Sequence, residues 1–352
     1  MSRSPPVAPG DGVRVYLTGG TGLIGSHVAE RLRQRGDQVV ALVRAGSETT
    51  HLTGLGCTLV QGDLGDDPEA LVTGMRGCDA VVHAAARVFR RGSRRAFIRT
   101  NVDGTRAVLG GAALAAPRVV HLSSVAVYAG LTDLALREDD WTRADPRRQG
   151  AYAASKHLSE RAAWQLHERG AVHLTTLRPS VVYGERDRAA TPILVRYATL
   201  PLVPLPGDGR TLLPLVYAGN VAEAVLAALD RPRSVGRAFN VALDQPVTAR
   251  EVVERVHREL DPGGAAPRTV GVPRVVPAAL AGVAASAGRV LPLVSGAGFA
   301  RAARSLIRDN PYDSTRARVE LGWRASIPHH EGLRRTMRWW RGRYLRSAPA
   351  GR

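Results

Sequence analysis

The sequence predicts an α/β protein built on a doubly wound parallel sheet, followed by a smaller C-terminal lobe. Short apolar runs alternate with stretches of helical spacing through the first half of the chain, which is typical of a parallel sheet covered by helices on both faces. The runs VVALV and AVVH are apolar at nearly every position, as strands buried on both faces require. The 352 residues are enough for one large domain or two fused lobes.

The first half contains six predicted strands and four predicted helices. The strands are predicted over residues 13–18, 38–43, 57–60, 80–83, 119–123 and 174–177. The helices are predicted over residues 23–34, 66–76, 93–115 and 150–169. Residues 1–12 are rich in Pro, Gly and Ser and lack the apolar segment of a signal peptide, so we expect a disordered tail there.

Prolines interrupt this alternation after residue 178. Further helices are predicted over 221–230, 249–259 and 333–344, and a strand over 238–241. The small-residue apolar stretch 275–294 is predicted to pack over a cleft or, alternatively, to touch a membrane surface. We expect one lobe over 13–180, to which 215–245 returns, and a second lobe over 181–345.

The composition excludes several classes of protein. The net charge is +18, but 48 of the 49 basic residues are Arg spread along the whole chain, so we interpret the charge as a solvated surface and expect no nucleic-acid partner. Two cysteines exclude a disulfide framework and a cysteine-built zinc site, and we expect no metal. With so few cysteines, a reducing cytoplasm is the simplest setting, and we expect a cytoplasmic protein. No apolar run is long enough to span a bilayer, so we expect no integral membrane span.

A glycine-rich turn, TGGTGLIG at residues 18–25, lies between the first predicted strand and the first predicted helix. Gly19 and Gly22 permit a tight turn and close approach of a pyrophosphate, while Gly25 permits close packing of the helix on the strand. The helix start at Leu23 and Ile24 presents free N–H groups to phosphate oxygens. The pattern predicts a dinucleotide site, the alternative being a glycine-rich turn without a ligand.

The second predicted strand ends at Arg44 without the acidic residue that usually binds the ribose 2′-hydroxyl of NAD. An arginine there can pair with the 2′-phosphate of NADP, so the sequence favours NADP over NAD. The alternative is an ordinary surface arginine.

Two further strand ends are candidate cofactor contacts. Asp63 and Leu64 follow the third predicted strand, where the carboxylate could accept from the adenine amino group or could cap a turn. The small residues Ala84 and Ala85 follow the fourth predicted strand and leave room for a cofactor against the backbone. We interpret His83, which ends that strand, as a packed side chain.

Ser124, Tyr152 and Lys156 are the candidate catalytic residues. Tyr152 and Lys156 are four residues apart on a predicted helix and therefore share a face, and Ser124 follows the fifth predicted strand. A neighbouring ammonium lowers the pKa of a tyrosine, which lets the phenol exchange a proton with a substrate oxygen, while the serine orients that oxygen. Lys156 is the only lysine in the chain, and it can also bind the nicotinamide ribose. The alternative is an exposed helical pair.

These motifs together resemble the extended short-chain dehydrogenases/reductases, also called the NAD-dependent epimerase/dehydratase family. The resemblance covers about residues 13–342 and includes TGGTGLIG at 18–25, GDL at 62–64, HAAA at 83–86, NVDGT at 101–105, YAASK at 152–156, LRPSVVYG at 177–184 and LGW at 321–323. It implies a Rossmann-type nucleotide-binding lobe, a smaller C-terminal substrate-binding lobe and an NAD(P) cofactor.

The resemblance also implies roles for further residues. Asn101 matches the asparagine that holds the active-site helix or a proton-relay water in the family, and Pro179 and Ser180 match the loop that faces the nicotinamide. It also implies that the helices over 93–115 and 150–169 can form a homodimer.

The branch of the family is predicted from residues that are characteristic of other branches and absent from this sequence. Val181 stands where the epimerases carry Asn, and Val125 and Ala126 stand where the 4,6-dehydratases carry an Asp-Glu pair. The chain looks more like the 3β-hydroxysteroid dehydrogenase and dihydroflavonol-reductase branch. We therefore expect an NAD(P)-dependent oxidoreductase that interconverts a secondary alcohol and a ketone on an apolar, sterol-like or aromatic small molecule.

Two alternatives remain. One is a sugar-nucleotide epimerase of the same family, in which Arg186, Arg188 and Arg210 would bind a diphosphate. The other is a non-catalytic dinucleotide sensor, which the intact Tyr152 and Lys156 disfavour.

Overall fold

The computed structural model describes residues 12–65, 68–88, 93–115, 118–133, 135–242, 245–273 and 309–344. Its strands are β1 (Arg14–Thr18), β2 (Gln38–Val43), β3 (Thr58–Gln61), β4 (Ala80–His83), β5 (Arg118–Leu122), β6 (His173–Pro179), β7 (Val181–Tyr183), β8 (Val203–Pro206), β9 (Leu215–Tyr217), β10 (Arg237–Val241) and β11 (Thr269–Val272). Its α-helices are α1 (Leu23–Arg35), α2 (Thr50–Gly54), α3 (Pro68–Met75), α4 (Arg94–Ile98), α5 (Gly104–Ala115), α6 (Ala151–Glu168), α7 (Ala190–Ala198), α8 (Ala218–Asp230), α9 (Ala249–Leu260), α10 (Thr315–Glu320) and α11 (His329–Tyr344).

The main sheet has seven parallel strands in the order β10–β6–β5–β4–β1–β2–β3. The apolar cores on its two faces are separate: one includes α1 and α8, and the other includes α3, α5 and α6. This is the doubly wound arrangement that the sequence predicts, and the prediction of fold class is confirmed. All seven strands end at the same edge, where loops in such sheets bind their ligands.

The smaller lobe is built from short elements. Two-stranded parallel sheets, β7–β9 and β8–β11, share a core with α7, α9 and α11. The segment between β9 and α9 in the sequence returns to the main sheet. Its helix α8 packs on α1 and its strand β10 pairs with β6, so residues 218–241 belong to the main sheet and its helical layer.

The largest difference from the sequence prediction lies in the helix expected over residues 93–115. It is interrupted by a π-helical turn, Arg99–Asp103, between α4 and α5, with the N–H of Gly104 donating to the carbonyl of Arg99. Such a turn inserts one residue into the helix, and insertions of this kind are frequent at functional sites.

Other boundaries differ by a few residues. The helix expected from residue 66 begins at Pro68, and the sixth strand extends to Pro179. The predicted apolar segment 275–294 and the tail 1–11 lie outside the described residues. In the part of the chain that the structure describes, no helix is long and apolar enough to cross a membrane.

Candidate active site

The glycine turn packs directly on the segment that follows β4. Gly19 has a φ of +77°, and a Cβ there would lie 2.6 Å from the backbone nitrogen of Ala85 and 2.7 Å from the carbonyl carbon of Ala84. A Cβ on Gly25 would collide with the carbonyl oxygen of Gly19, and the N–H of Gly22 donates to that same oxygen at 2.9 Å. The turn therefore requires glycine at these positions and small residues opposite them.

The residues at this edge fit a dinucleotide. Gly22 caps α1 without a side-chain hydrogen bond and the first turn holds no acidic residue, so the amides of Leu23 and Ile24 are left for an anion at the positive end of the helix dipole. Ser180, directly after Pro179 and β6, is buried, and its Oγ has no hydrogen-bond partner among the described residues. Donors at both ends of the site therefore remain available to a bound ligand.

The strand ends that would face the adenosine carry different groups. Arg44 is exposed beyond the end of β2, and its carbonyl accepts from Ser47 at 3.1 Å. Asp63 is exposed, and its Oδ1 accepts from the N–H of Leu64 at 2.7 Å. Leu64 is itself buried against Gly104 at the start of α5.

Lys156 is buried on α6, with only 2 % of its surface exposed. Its Nζ donates to the carbonyl of Leu122, at the end of β5, over 2.7 Å. Burial lowers the pKa of this ammonium to about 8, and the Glu160 carboxylate one turn further along α6 opposes that shift. The lysine thus presents its charged group at the edge where the strands end.

Tyr152 and Ser124 lie at the same end of the sheet. Tyr152 is half-buried, one turn before Lys156, and its ring meets Phe97 edge-on at 6.4 Å between centroids. Ser124 caps a 3₁₀ turn, and its Oγ accepts from the N–H of Ala126 at 3.2 Å. Because Lys156 contacts Leu122, two residues before Ser124, the tyrosine helix and the serine are tied to one strand end.

Asn101 connects three segments from within the π-helical turn. Its Oδ1 accepts from the N–H of Arg87 at 2.6 Å, and its Nδ2 donates to the Arg87 carbonyl at 3.2 Å and to Ser155 Oγ at 2.9 Å. Ser155 Oγ in turn donates to the carbonyl of Tyr152 at 2.8 Å. The asparagine side chain therefore holds the start of α6 against the segment that follows β4.

One buried cluster was not identified from the sequence. Arg178, on β6, donates to both carboxylate oxygens of Glu160, with a shortest distance of 2.5 Å, and to the hydroxyl of Tyr128 at 2.7 Å. Burial alone would raise the pKa of Glu160, but the Arg178 guanidinium outweighs it and holds the pKa below the usual value. Glu160 lies four residues after Lys156, and this helical spacing is the signal that could have indicated it.

The arginines considered for a diphosphate are engaged by other side chains. Arg186 donates to Ser26 at 2.8 Å and to Glu30 at 2.9 Å, both on α1. Arg188 lies 3.8 Å from Glu48, and the exposed Arg210 lies 3.2 Å from Asp208. In this conformation the three arginines do not converge on one anion.

Known proteins have the same fold and are similar in sequence over most of this chain. The model of the NAD dependent epimerase/dehydratase family matches residues 15–242. A 2-alkyl-3-oxoalkanoate reductase of Shewanella oneidensis is 28% identical over 334 residues, covering 91% of this chain and 84% of the relative. A 4-hydroxy-2-methyl-3-oxo-4-farnesyl-3,4-dihydroquinoline-1-oxide ketoreductase of Stigmatella aurantiaca is 30% identical over 323 residues, covering 91% of this chain and 95% of the relative.

A solved structure extends the likeness to three dimensions. The UDP-glucose 4-epimerase of Thermus thermophilus, in complex with NAD, superposes with a TM-score of 0.69 at 25% identity, covering 94% of this chain and 100% of the epimerase. The shared fold thus spans both the sheet and the smaller lobe.

Proposed function

Because the chain belongs to the NAD-dependent epimerase/dehydratase family and is an NAD(P)-dependent oxidoreductase, we propose that it reduces a ketone on an apolar small molecule to a secondary alcohol. The observation that carries the proposal is the burial of the only lysine on the same helix face as Tyr152, where its ammonium reaches the end of β5. A buried cation one turn from a phenol is the arrangement that an acid/base tyrosine needs.

The substrate class rests on the relatives and on the side chains near the serine. One relative is named a reductase of 2-alkyl-3-oxoalkanoates and the other a ketoreductase of a farnesylated quinoline oxide, and both named substrates carry a ketone and apolar substituents. Val125 is buried in an apolar cluster, and Ala126 and Val181 are apolar, so none of the three positions offers a charge to a polar substrate such as a sugar nucleotide. An alkylated or aromatic 3-oxo compound is therefore the substrate that we propose.

The reaction assigns one task to each side chain. A nicotinamide dinucleotide, held by the glycine turn at 18–25 and by Lys156, would supply the hydride. Ser124 Oγ orients the substrate carbonyl by hydrogen bonding to its oxygen. Tyr152 donates its phenolic proton to that oxygen as the carbonyl carbon gains the hydride, so the ketone becomes an alcohol and the tyrosine a phenolate. Lys156 stabilises the phenolate by its charge and binds the ribose hydroxyls.

Asn101 acts as a positioning residue in this proposal. Its amide reaches Tyr152 through Ser155, so its contribution is the placement of the tyrosine and not proton transfer.

The cofactor form that we propose is NADP. Arg44 is exposed beyond the end of β2, and no acidic residue stands at that strand end to bind a 2′-hydroxyl. The guanidinium can pair with a 2′-phosphate in two parallel hydrogen bonds and can stack on the adenine.

We also propose a homodimer that forms in the cytoplasm. Leu114, on the exposed side of α5, is 78% exposed, and α5 packs beside α6, so the two helices present a joint face. Cys57 and Cys78 are free thiols, which is consistent with a reducing compartment.

A sugar-nucleotide epimerase is the second candidate, favoured by the likeness to the Thermus thermophilus enzyme. An epimerase returns the hydride to its own substrate, whereas a reductase exchanges its dinucleotide with solution. Tightly held NAD⁺ after purification would favour the epimerase.

A substrate series distinguishes the candidates. The purified protein is mixed with NADPH and 2-alkyl-3-oxoalkanoate esters of increasing chain length, and loss of NADPH absorbance is followed. We expect reduction that strengthens with alkyl length and disappears in the Tyr152→Phe variant. Inversion of UDP-glucose without net NADPH consumption would replace the proposal by the epimerase, and dinucleotide binding without turnover of either class would indicate a sensor.

A further inference from the structure

Four polar residues form a row across the middle of the main sheet. Thr18 of β1 pairs with His83 of β4, His83 with His121 of β5, and His121 with Thr176 of β6. All four side chains are at most 1% exposed, and the two histidine rings stack at 5.3 Å between centroids. Polar groups in such a buried place are costly unless they are paired. Among the described residues, the side chains of Thr18 and His83 are hydrogen-bonded, whereas both ring nitrogens of His121 and Oγ1 of Thr176 have no hydrogen-bond partner. The hydrogen bonds of Thr18 and His83 therefore indicate what this part of the row does.

The hydrogen bonds around His83 have a single possible direction. Thr105 Oγ1 lies 2.6 Å from the carbonyl oxygen of Asn101. Because a carbonyl oxygen only accepts, the threonine hydroxyl donates its hydrogen to it. Thr105 must then accept from His83 Nε2, 3.0 Å away, so the proton of the neutral ring is on Nε2. His83 Nδ1 therefore accepts from the hydroxyl of Thr18 at 2.7 Å.

The chain of hydrogen bonds continues in both directions. Thr18 Oγ1 accepts from the N–H of Ala85 at 3.3 Å, and the backbone of Ala85 is the surface on which Gly19 packs. At the other end, the side chain of Asn101 reaches the carbonyl of Tyr152 through Ser155. His83 thus lies between the glycine turn and the catalytic helix.

We propose that His83 is a positioning residue with two separate arms: its Nε2–H arm, through Thr105 and Asn101, places Tyr152, and its Nδ1 arm, through Thr18, holds the backbone beneath the glycine turn. The inference rests on the proposed function, because placement of Tyr152 matters only if that tyrosine exchanges a proton. It assigns a purpose to a histidine that the sequence indicates only as a packed side chain.

The ring can serve both arms only while it is neutral. A protonated ring would carry a hydrogen on Nδ1, which would face the Thr18 hydroxyl that now donates to it. Burial lowers the pKa of His83 to about 3, and the Lys156 ammonium lowers it further in the same direction. The ring is therefore neutral near pH 7, and both arms keep their hydrogen bonds there.

Two amide replacements separate the arms. In His83→Asn the side-chain oxygen stands near the position of Nδ1 and can accept from Thr18, but nothing reaches Thr105. In His83→Gln the amide nitrogen stands near the position of Nε2 and can donate to Thr105, but nothing accepts from Thr18. Thr105→Val removes the hydroxyl of the catalytic arm with little change of shape, and Thr105→Ser restores it.

Two readouts are measured without any substrate. The first is the dissociation constant of NADPH, from quenching of protein fluorescence. The second is the apparent pKa of Tyr152 in the NADP⁺ complex, from tyrosinate difference spectra of each variant against the same variant carrying Tyr152→Phe. The melting temperature of each protein is recorded as a control for loss of packing.

We expect the two readouts to move independently. His83→Asn and Thr105→Val should raise the pKa of Tyr152 by about one unit, because the charge of Lys156 stabilises the phenolate less when the phenol is displaced. Both substitutions should leave the dissociation constant of NADPH within about twofold of the wild-type value. His83→Gln should weaken NADPH binding by about tenfold, corresponding to about 1.4 kcal/mol, with the Tyr152 pKa unchanged. Thr105→Ser should resemble the wild type.

Packing alone gives a different result. If both readouts change together in the Asn and Gln variants, in proportion to the loss of melting temperature, His83 is only a core residue and the proposal is overturned. If neither His83 variant folds, Thr105→Val and Thr105→Ser still decide the catalytic arm, and an unchanged Tyr152 pKa in Thr105→Val rejects it. Failure of the proposed function appears separately, as wild-type protein that binds NADPH and reduces no ketone.

Discussion

The Nζ atom of Lys156 lies 2.7 Å from the carbonyl oxygen of Leu122, which fixes the ammonium at the end of β5. The contact comes from α6 and is made inside the protein, since the lysine is 2% exposed. A compact ammonium with rotatable donors fits this place and leaves further N–H groups for a ribose, whereas a planar guanidinium is larger and directs its donors along a fixed fork.

Lys156→Arg is therefore expected to lower kcat by about 10²-fold or more although the charge is kept. Steady-state ketone reduction measures the effect. Arg161→Lys, an exposed change on the same helix, is the matched control and should leave kcat unaltered. A Lys156→Arg enzyme with near-normal turnover would show that only charge is required at this position.

Tyr152→Phe should reduce turnover by about 10²–10⁴-fold, because the proton donor is lost while the ring is retained. NADPH affinity should stay within about twofold, since the phenyl ring keeps its contact with Phe97. Kinetics and a fluorescence titration on the same preparation separate the two effects. Turnover close to that of the wild type would assign the proton to another group.

Arg44→Asp should exchange the cofactor preference. The carboxylate would repel a 2′-phosphate and accept from a 2′-hydroxyl, so KM for NADPH should rise by about tenfold or more while KM for NADH falls. Arg169→Asp changes charge equally at an exposed position beyond α6 and should leave both constants as they are. Equal effects of the two substitutions would mean that Arg44 acts through net charge alone.

His121 makes folding stability sensitive to acid. Burial, Lys156 and His83 together lower the pKa of the buried His121 ring well below its usual value. Between that lowered pKa and about 6.5 the unfolded chain therefore binds a proton that the folded protein does not, so the free energy of unfolding falls as the pH falls.

His121→Leu should reduce this dependence by about one proton, or roughly 1.4 kcal/mol per pH unit, between about pH 4.5 and 6. Urea unfolding at several pH values measures the slope. His173→Leu removes an exposed histidine from the start of β6 and should keep the wild-type slope. Identical slopes for the His121 variant and the wild type would contradict the burial of a neutral ring.

The contributions of Arg178 and Glu160 to the free energy of unfolding should depend on each other. Arg178→Met or Glu160→Gln alone leaves a buried charge without its partner and is expected to cost about 3–5 kcal/mol of stability. The double variant should cost clearly less than the sum of the two single changes. A chemical-denaturation cycle of the four proteins tests this, and additive costs would argue against a direct pair.

The sequence was sufficient for the sheet because its signals are local. The strands β1, β2, β4 and β5 each contain an apolar run bounded by polar residues or glycine, and the parallel order follows from the intervening helices. The glycine turn could be located for the same reason, since its demands on backbone geometry fall on eight consecutive residues.

The features that could not be predicted from the sequence depend on short segments or on contacts between residues that are distant in sequence. The π-helical turn at 99–103 contains a single apolar residue, Val102, so periodicity has too few apolar positions there to reveal the inserted residue. The strands of the smaller lobe are three or four residues long, and β8 contains prolines, so they give no strand signal. His83 and His121 each end or nearly end an apolar strand, but only strand register brings them side by side.

The burial of Lys156 gives the protein a chemical property of practical use. Reagents that acylate lysine side chains do not modify the many arginines of this protein, and the sequence contains only one lysine, Lys156. That lysine is buried where the dinucleotide is expected to lie. Acylation of that side chain, read by peptide mass, therefore reports how often the enclosure opens. Protection by added nucleotide would turn the same label into an occupancy measurement that needs neither a substrate nor a mutation.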